Sequence, residues 1–545
     1  MRSLRGARLT RAVRAARRGA SGVVCRLSAT ALLATAAGSA SAAVAVPASA
    51  IAVEPVVPCF VAPPRDLALD VKFDCGYVVV PENGAAPAGR RVKLGYLRLQ
   101  ARASGSAAKA SPLFVLAGGP GNSLIQQVTF ALFAAPMLGP LLDERDVVIL
   151  DQRGTAHTQP HLDCPEAYGL AWSTYRQGLG EDAASALQRR VLERCIDGFR
   201  RKGVDLAAYN SVAIAADLDA ARRALGYGRI VYYGASFGAQ LGQHVMRDFP
   251  GMLEAVILDG SNSLSRMSWV EDRALDIEFS MKHLDALCRE DAKCRQAYDL
   301  PALVERAVAL FDAGPIAASF TDPALPGVAL PIEVRRDDLL STIYGMQGDK
   351  IGVMSLPALL GGMVRGGRAS MAATLGPIVG QRLLAQRGAT PGGMAMLMHL
   401  AVVCSDDPVR SVDDLVVDGV RSRYALLLGE AFARDYVGSC ATIGVPELPA
   451  ATDVDVRTDV PTLILSGGLD AATPTFRSEV VARSLPNARL VVFPAGTHVQ
   501  LGAINLCAVK IMTAFVRDPG AALPLECVNE SRFPGFVLPD GTMSR

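Results

Sequence analysis

The stretch Val231-Tyr232-Tyr233-Gly234-Ala235-Ser236-Phe237-Gly238 decides the fold. The run from Arg229 to Gly234 reads as a short buried strand, and the chain beyond Gly238 reads as a helix. Between them Gly-x-Ser-x-Gly puts a serine on a sharp strand-to-helix turn, the context a nucleophile elbow requires. A side chain at Gly234 or Gly238 would collide with the neighbouring strand or helix. The serine hydroxyl then meets a helix N-terminus, whose free N–H groups and dipole favour negative charge. A tight turn without chemistry is the competing reading, and the flanking strand and helix weigh against it.

Serine is a weak nucleophile at its own pKa, so it needs a base, and the base an orienting partner. Six histidines exist, at 157, 161, 244, 283, 399 and 498, and only His498 follows a late strand, Arg489 to Phe493. The preceding strand, from Thr462 to Leu465, leads to Asp470, 28 residues before His498, which leaves room for one helix and one strand. The order Ser236, Asp470, His498 is that of the α/β-hydrolase fold. Taken singly, His498 reads as a surface histidine and Asp470 as a helix cap; in order at strand ends, they read as a catalytic set.

A tetrahedral oxyanion needs two donors. The elbow offers the N–H of Phe237. The second is expected from Gly118-Gly119-Pro120-Gly121-Asn122-Ser123, with Gly119 first and Gly118 second. A phosphate-binding loop is the rival reading of these glycines, but no Lys-Ser/Thr follows. His244 falls inside the helix after the elbow and reads as structural. His157, His161 and Asp163 suggest metal ligands but have no third spaced site. No metal and no cofactor is expected.

Working outward, Val92 to Leu99 alternates, and Pro112 to Ala117, Asp146 to Leu150 and Leu253 to Leu258 are short buried runs. Amphipathic helices intervene at Ser185 to Lys202 and Ser211 to Leu225. This rhythm predicts a mostly parallel, doubly wound sheet. From about Ser265 to Asp455 the pattern turns mainly helical, then strands resume, with a closing helix from Ala503 to Val516. The expected organisation is a hydrolase core of residues 43–264 and 456–545 with a helical cap insertion of 265–455.

Residues 1–42 read as a signal peptide: eight arginines without an acid, an apolar run from Leu27 to Ala37, and small residues ending at Ala42. Cleavage is expected after Ala42, with Ala50 as the alternative; Arg17-Arg18 lacks the apolar residues that should follow a twin-arginine signal, and a mitochondrial presequence stays open. The apolar run is too short for a stable membrane anchor. Removing the leader changes the formal charge from +2 to −6, which leaves no basic surface for nucleic acid. Ten of the eleven cysteines remain. Neighbouring along the chain suggests Cys59–Cys75, Cys164–Cys195, Cys288–Cys294, Cys404–Cys440 and Cys507–Cys527, and with them an oxidising compartment, secreted or periplasmic. Free buried thiols are the alternative.

Gly118-Gly119-Pro120-Gly121, Asp151-Gln152-Arg153-Gly154-Thr155, the elbow and the Asp470/His498 ending together resemble the tripeptidyl aminopeptidase and proline iminopeptidase group of α/β-hydrolases, over nearly the whole mature chain. The Cys507 to Cys527 tail resembles the tripeptidyl branch. The resemblance implies an exopeptidase that works through an acyl-enzyme and takes peptides with a free N-terminus. Such an enzyme needs a carboxylate for the substrate ammonium. Cys404-Ser405-Asp406 resembles a C-x-D segment of the branch, which makes Asp406 the first candidate and Glu271 the second; both also read as ordinary solvated acids. Proline iminopeptidases carry His before G-G-P-G where this chain has Ala117, and relatives carry Gly-x-Ser where it has Ala156-His157-Thr158. The alternatives to an aminopeptidase are a carboxylester hydrolase on the same triad and a binding protein on a hydrolase scaffold.

Overall fold

A computed structural model describes residues 45–60, 72–102, 110–126, 135–266, 270–387, 393–530 and 532–545; the expected leader lies outside them. The strands are β1 (Ala52–Pro55), β2 (Phe73–Pro81), β3 (Arg91–Leu99), β4 (Leu113–Leu116), β5 (Val147–Leu150), β6 (Thr158–Gln159), β7 (Ile230–Ala235), β8 (Leu253–Asp259), β9 (Ile316–Thr321), β10 (Ala329–Val334), β11 (Thr462–Gly467) and β12 (Ala488–Phe493). Ten of them form one sheet in the order β1-β2-β3-β5-β4-β7-β8-β11-β12, with β6 on β3. From β5 to β12 every pairing along that order is parallel, and β1, β2 and β3 complete the sheet antiparallel.

The apolar runs point both ways because successive side chains alternate across the sheet. Leu94, Phe114, Leu116, Tyr232 and Leu258 fill one face, and Leu97, Val115, Val231, Tyr233 and Ile257 the other. Helices α1 (Glu181–Arg201), α2 (Ser211–Ala224) and α3 (Phe237–Asp248) cover the first face. Helix α11 (Leu506–Arg517) covers the second through Ile511 and Phe515. Burying both faces is what a parallel sheet demands. Helix α2 starts where Asn210 accepts a hydrogen bond from the Ala213 amide at 2.9 Å.

Between β8 and β11 lie helices α4 (Arg273–Glu290), α5 (Leu300–Ala309), α6 (Arg336–Gln347), α7 (Lys350–Arg387), α8 (Met396–Asp406) and α9 (Arg423–Ile443), with α10 (Thr475–Ser484) following β11. The helical pattern hid one hairpin, in which β9 and β10 pair antiparallel. Gly380 of α7 lies so close to β9 that an added Cβ would sit 2.2 Å from the Phe320 ring. The last residues leave the hydrolase core: Phe533 and Phe536 pack among Leu303, Leu356 and Tyr424 of the insertion. Ser544 Oγ donates to Asp291 at 2.6 Å. The tail of the segment expected to belong with the sheet therefore packs with the insertion.

All ten cysteines pair as expected from their order along the chain, which belongs to an oxidising, non-cytoplasmic compartment. Among the described residues no helix is long and apolar enough to cross a membrane. The Asp151–Thr155 segment is fixed by Arg153, which is buried and forms two hydrogen bonds to Asp217 of α2, at 2.6 and 2.7 Å. It also donates to the carbonyls of Glu82 and Ala208 at 2.6 and 2.7 Å. Removing one member of such a pair strands the other charge, so Asp217→Ala is expected to cost about 3–5 kcal/mol, read as a lowered denaturation midpoint against wild type.

Candidate active site

Ser236 stands between β7 and α3 with φ 55° and ψ −118°, a conformation that residues with a side chain rarely adopt. The surroundings impose it. An added Cβ at Gly234 would lie 2.1 Å from the Gly238 carbonyl oxygen, and one at Gly238 would lie 2.8 Å from that of Ala117. Tyr232 donates to the Gly238 carbonyl at 2.5 Å, and the Ser236 amide donates to the Asp259 carbonyl at 2.8 Å. The hydroxyl is thereby set at the first turn of α3, with the Phe237 amide next to it.

His498 follows β12, and its Nε2 lies 2.9 Å from Ser236 Oγ. Its Nδ1 lies 2.8 Å from Asp470 Oδ2. Asp470 is buried in the turn after β11, where Oδ1 accepts from the amides of Ala472 and Thr473 at 2.7 and 2.9 Å. Thr473 Oγ1 donates to Oδ2 at 2.7 Å. Burial alone would raise the Asp470 carboxyl; the His498 charge and hydrogen bond and the Thr473 bonds overcome it and hold the pKa below the ordinary value. For His498 burial works to lower the pKa, and Asp470, with help from Asp259, reverses this and raises it. The structure thus brings together the three side chains that the sequence named, from the ends of three strands.

The loop Gly118–Ser123, expected to supply the second oxyanion donor, leaves β4 and turns back on itself, with Gly119 at φ 117°. A Cβ on Gly118 would sit 2.8 Å from Ser236 Cβ, so this loop lies directly against the nucleophile. Gln152 Nε2 donates to the Ala117 carbonyl at 2.8 Å and anchors the loop's start. Asp151 accepts from Ser123 Oγ at 2.6 Å and from the His157 amide at 3.2 Å, so this segment braces the loop. Ser123, His157 and Asp151 do not form a second triad, because both partners meet the same ring nitrogen, Nδ1, at 3.2 Å. Asp163 accepts from Tyr168 at 2.7 Å and from the Cys164 amide, turned to partners other than those of His157.

Asp406 is buried, with Oδ1 accepting from the Ser211 amide at 3.2 Å and Oδ2 from the Ser211 hydroxyl. It caps α2, and burial pushes its carboxyl up to about 7 against those two bonds. For its neighbour Asp407, burial first and the Asp406 charge second push the carboxyl well up. Glu271 is buried, and its main-chain carbonyl accepts from the Val416 amide at 2.8 Å.

One residue close to the histidine escaped the sequence reading. Asp259, the last residue of β8, is fully buried and accepts from the amides of Gln500 and Leu501 at 2.8 and 3.0 Å, and from Tyr233 at 2.8 Å. It fixes the turn just after His498. The available signal was a carboxylate closing an otherwise apolar run before Gly260, where a Cβ would meet the His498 ring at 3.3 Å.

The family model described as alpha/beta hydrolase fold matches residues 111–309, and the TAP-like protein model matches 424–523. Serine protease Hip1 of Mycobacterium tuberculosis is 26% identical over 470 residues, covering 81% of this chain and 84% of that protein. Tripeptidyl aminopeptidase of Streptomyces coelicolor is 28% identical over 203 residues, 37% of each chain. Among solved structures, proline iminopeptidase of Mycobacterium smegmatis aligns at 14% identity and TM-score 0.35 over 81% of this chain and 98% of its own.

His498 must be neutral to take a proton, and its pKa is raised, so activity falls as pH drops through that value. The acid limb of kcat/KM against pH is expected above the ordinary imidazole value of about 6.5. Asp470→Asn should move that limb down and lower kcat by about 10⁴.

Proposed function

We propose that this chain, a serine peptidase of the α/β-hydrolase fold similar to the tripeptidyl aminopeptidases, is an exported aminopeptidase releasing short N-terminal peptides or residues through an acyl-enzyme at Ser236. The hydrogen-bonded line from Asp470 through His498 to Ser236 carries this reading. His498 Nε2 takes the hydroxyl proton as Ser236 Oγ attacks the scissile carbonyl. The resulting oxyanion is met by the amides of Phe237 and Gly119. The tetrahedral intermediate collapses, the amine leaves with the proton from His498, and a water activated at the same nitrogen releases the acyl group. Asp470 holds the imidazole in the tautomer with hydrogen on Nδ1 and supports its positive charge.

An aminopeptidase must also hold the substrate ammonium. Asp406, already engaged by Ser211, suits this task less than Asp407, which adjoins Gln240 on the elbow helix. An arriving ammonium would favour the ionised form of the Asp407 carboxyl and so be bound by charge. Glu271 is the second acid of the insertion in this role. Secretion or periplasmic location accords with the leader and the five disulfides.

The test is hydrolysis of chromogenic mono- to tripeptides, free and N-blocked, beside short acyl esters. Wild type is expected to cleave only peptides with a free amino group, and Ser236→Ala to lose at least about 10⁴ in kcat. Ester turnover without peptide cleavage would assign a carboxylester hydrolase instead.

A further inference from the structure

The oxyanion loop is gripped from the insertion. The Pro120 carbonyl lies 2.9 Å from His399 Nδ1 on α8, and the Ala395 amide donates to the Gly121 carbonyl at 2.9 Å. On the other side of the ring His399 Nε2 lies 2.7 Å from the Tyr436 hydroxyl on α9. A carbonyl only accepts, so Nδ1 carries the hydrogen, and in the neutral ring Nε2 accepts from Tyr436. The two helices are joined about one turn beyond these residues by Cys404–Cys440. Glycines at 118, 119 and 121 offer no side chain to pack, and backbone freedom is greatest there. The loop's upstream end is held by Gln152 and its downstream end by Ser123 on Asp151, and between them Ala395 and His399 of the insertion take the carbonyls of Gly121 and Pro120.

We propose that His399 is a positioning residue: it sets the Gly118–Gly121 loop at the distance from Ser236 where the Gly119 amide meets the oxyanion, and through Tyr436 it makes that distance depend on how α8 and α9 are seated. This rests on reading the loop as part of the oxyanion hole. The insertion then acts on the chemical step as well as covering the site. A shift of the helix pair is passed to the loop by a chain of directed hydrogen bonds, and errors of about 1 Å at a reacting centre cost up to about a hundredfold in rate.

The test compares purified wild type with His399→Leu, His399→Asn and Tyr436→Phe, measuring kcat, KM and the thermal midpoint. The substrate is p-nitrophenyl acetate, an activated ester, so that failure of the aminopeptidase reading leaves the comparison in force. His399→Leu is expected to lower kcat about ten- to a hundredfold while KM changes by less than about threefold. His399→Asn, whose amide still reaches the Pro120 carbonyl, should recover most of the loss. A folded His399→Leu enzyme with wild-type kcat overturns the proposal. So does an equal loss in both His399 variants that tracks a lowered midpoint, since packing alone explains it. Should the leucine variant not fold, Tyr436→Phe decides: reduced kcat at unchanged KM supports the coupling, and wild-type values of both overturn it.

Discussion

The backbone bend at Ser236 is the constraint from which the rest of the site follows. A residue held at φ 55° between a strand and a helix forces the two elements into contact, and no Cβ fits at 118, 234 or 238. Main chain therefore packs on main chain at the centre of the sheet. That close approach lets the ends of β4, β7, β11 and β12 present their loops to one point, as open parallel sheets do at the carboxyl ends of their strands.

Around this point three buried carboxylates behave differently, and their hydrogen bonds explain why. Asp470 faces an imidazole and two amides, so its charged form is favoured despite burial. Asp259 accepts two amides and a phenol, yet burial outweighs these bonds and its pKa is raised. Asp406 has only Ser211 as donor and moves further toward neutrality. Burial is common to all three, so the donors and the neighbouring charges separate them, His498 lowering Asp470 and Asp453 raising Asp406. Of the three, only Asp470, hydrogen-bonded to His498, has its pKa held below the ordinary carboxylate value.

The parts legible in the sequence are those whose residue types are dictated locally. Gly234 and Gly238 announce the elbow because no other residue fits there, and Asp470 and His498 follow from strand order. What stayed hidden depends on contacts between distant segments. Asp259 and His399 look like the end of a strand and a residue of an apolar helix until the fold brings Gln500 and Pro120 to them. The C-x-D resemblance pointed to Asp406 but gave no direction to its side chain, which turns to Ser211. The hairpin β9–β10 was missed because its strands are short, one contains Pro331, and long helices surround both.

The return of the tail to the insertion also bears on the order in which the enzyme takes shape. Phe533 and Phe536 belong to the same apolar cluster as Leu303 and Tyr424, yet every strand of the sheet and all of the insertion's helices precede them in the chain. During synthesis the sheet can close over Ser236 while the insertion's core still lacks two of its aromatic rings. Ser544 has not yet reached Asp291 at that stage. A chain that folded from its N-terminal side would therefore have Ser236 and His498 in place before the insertion's apolar cluster gained its last two rings.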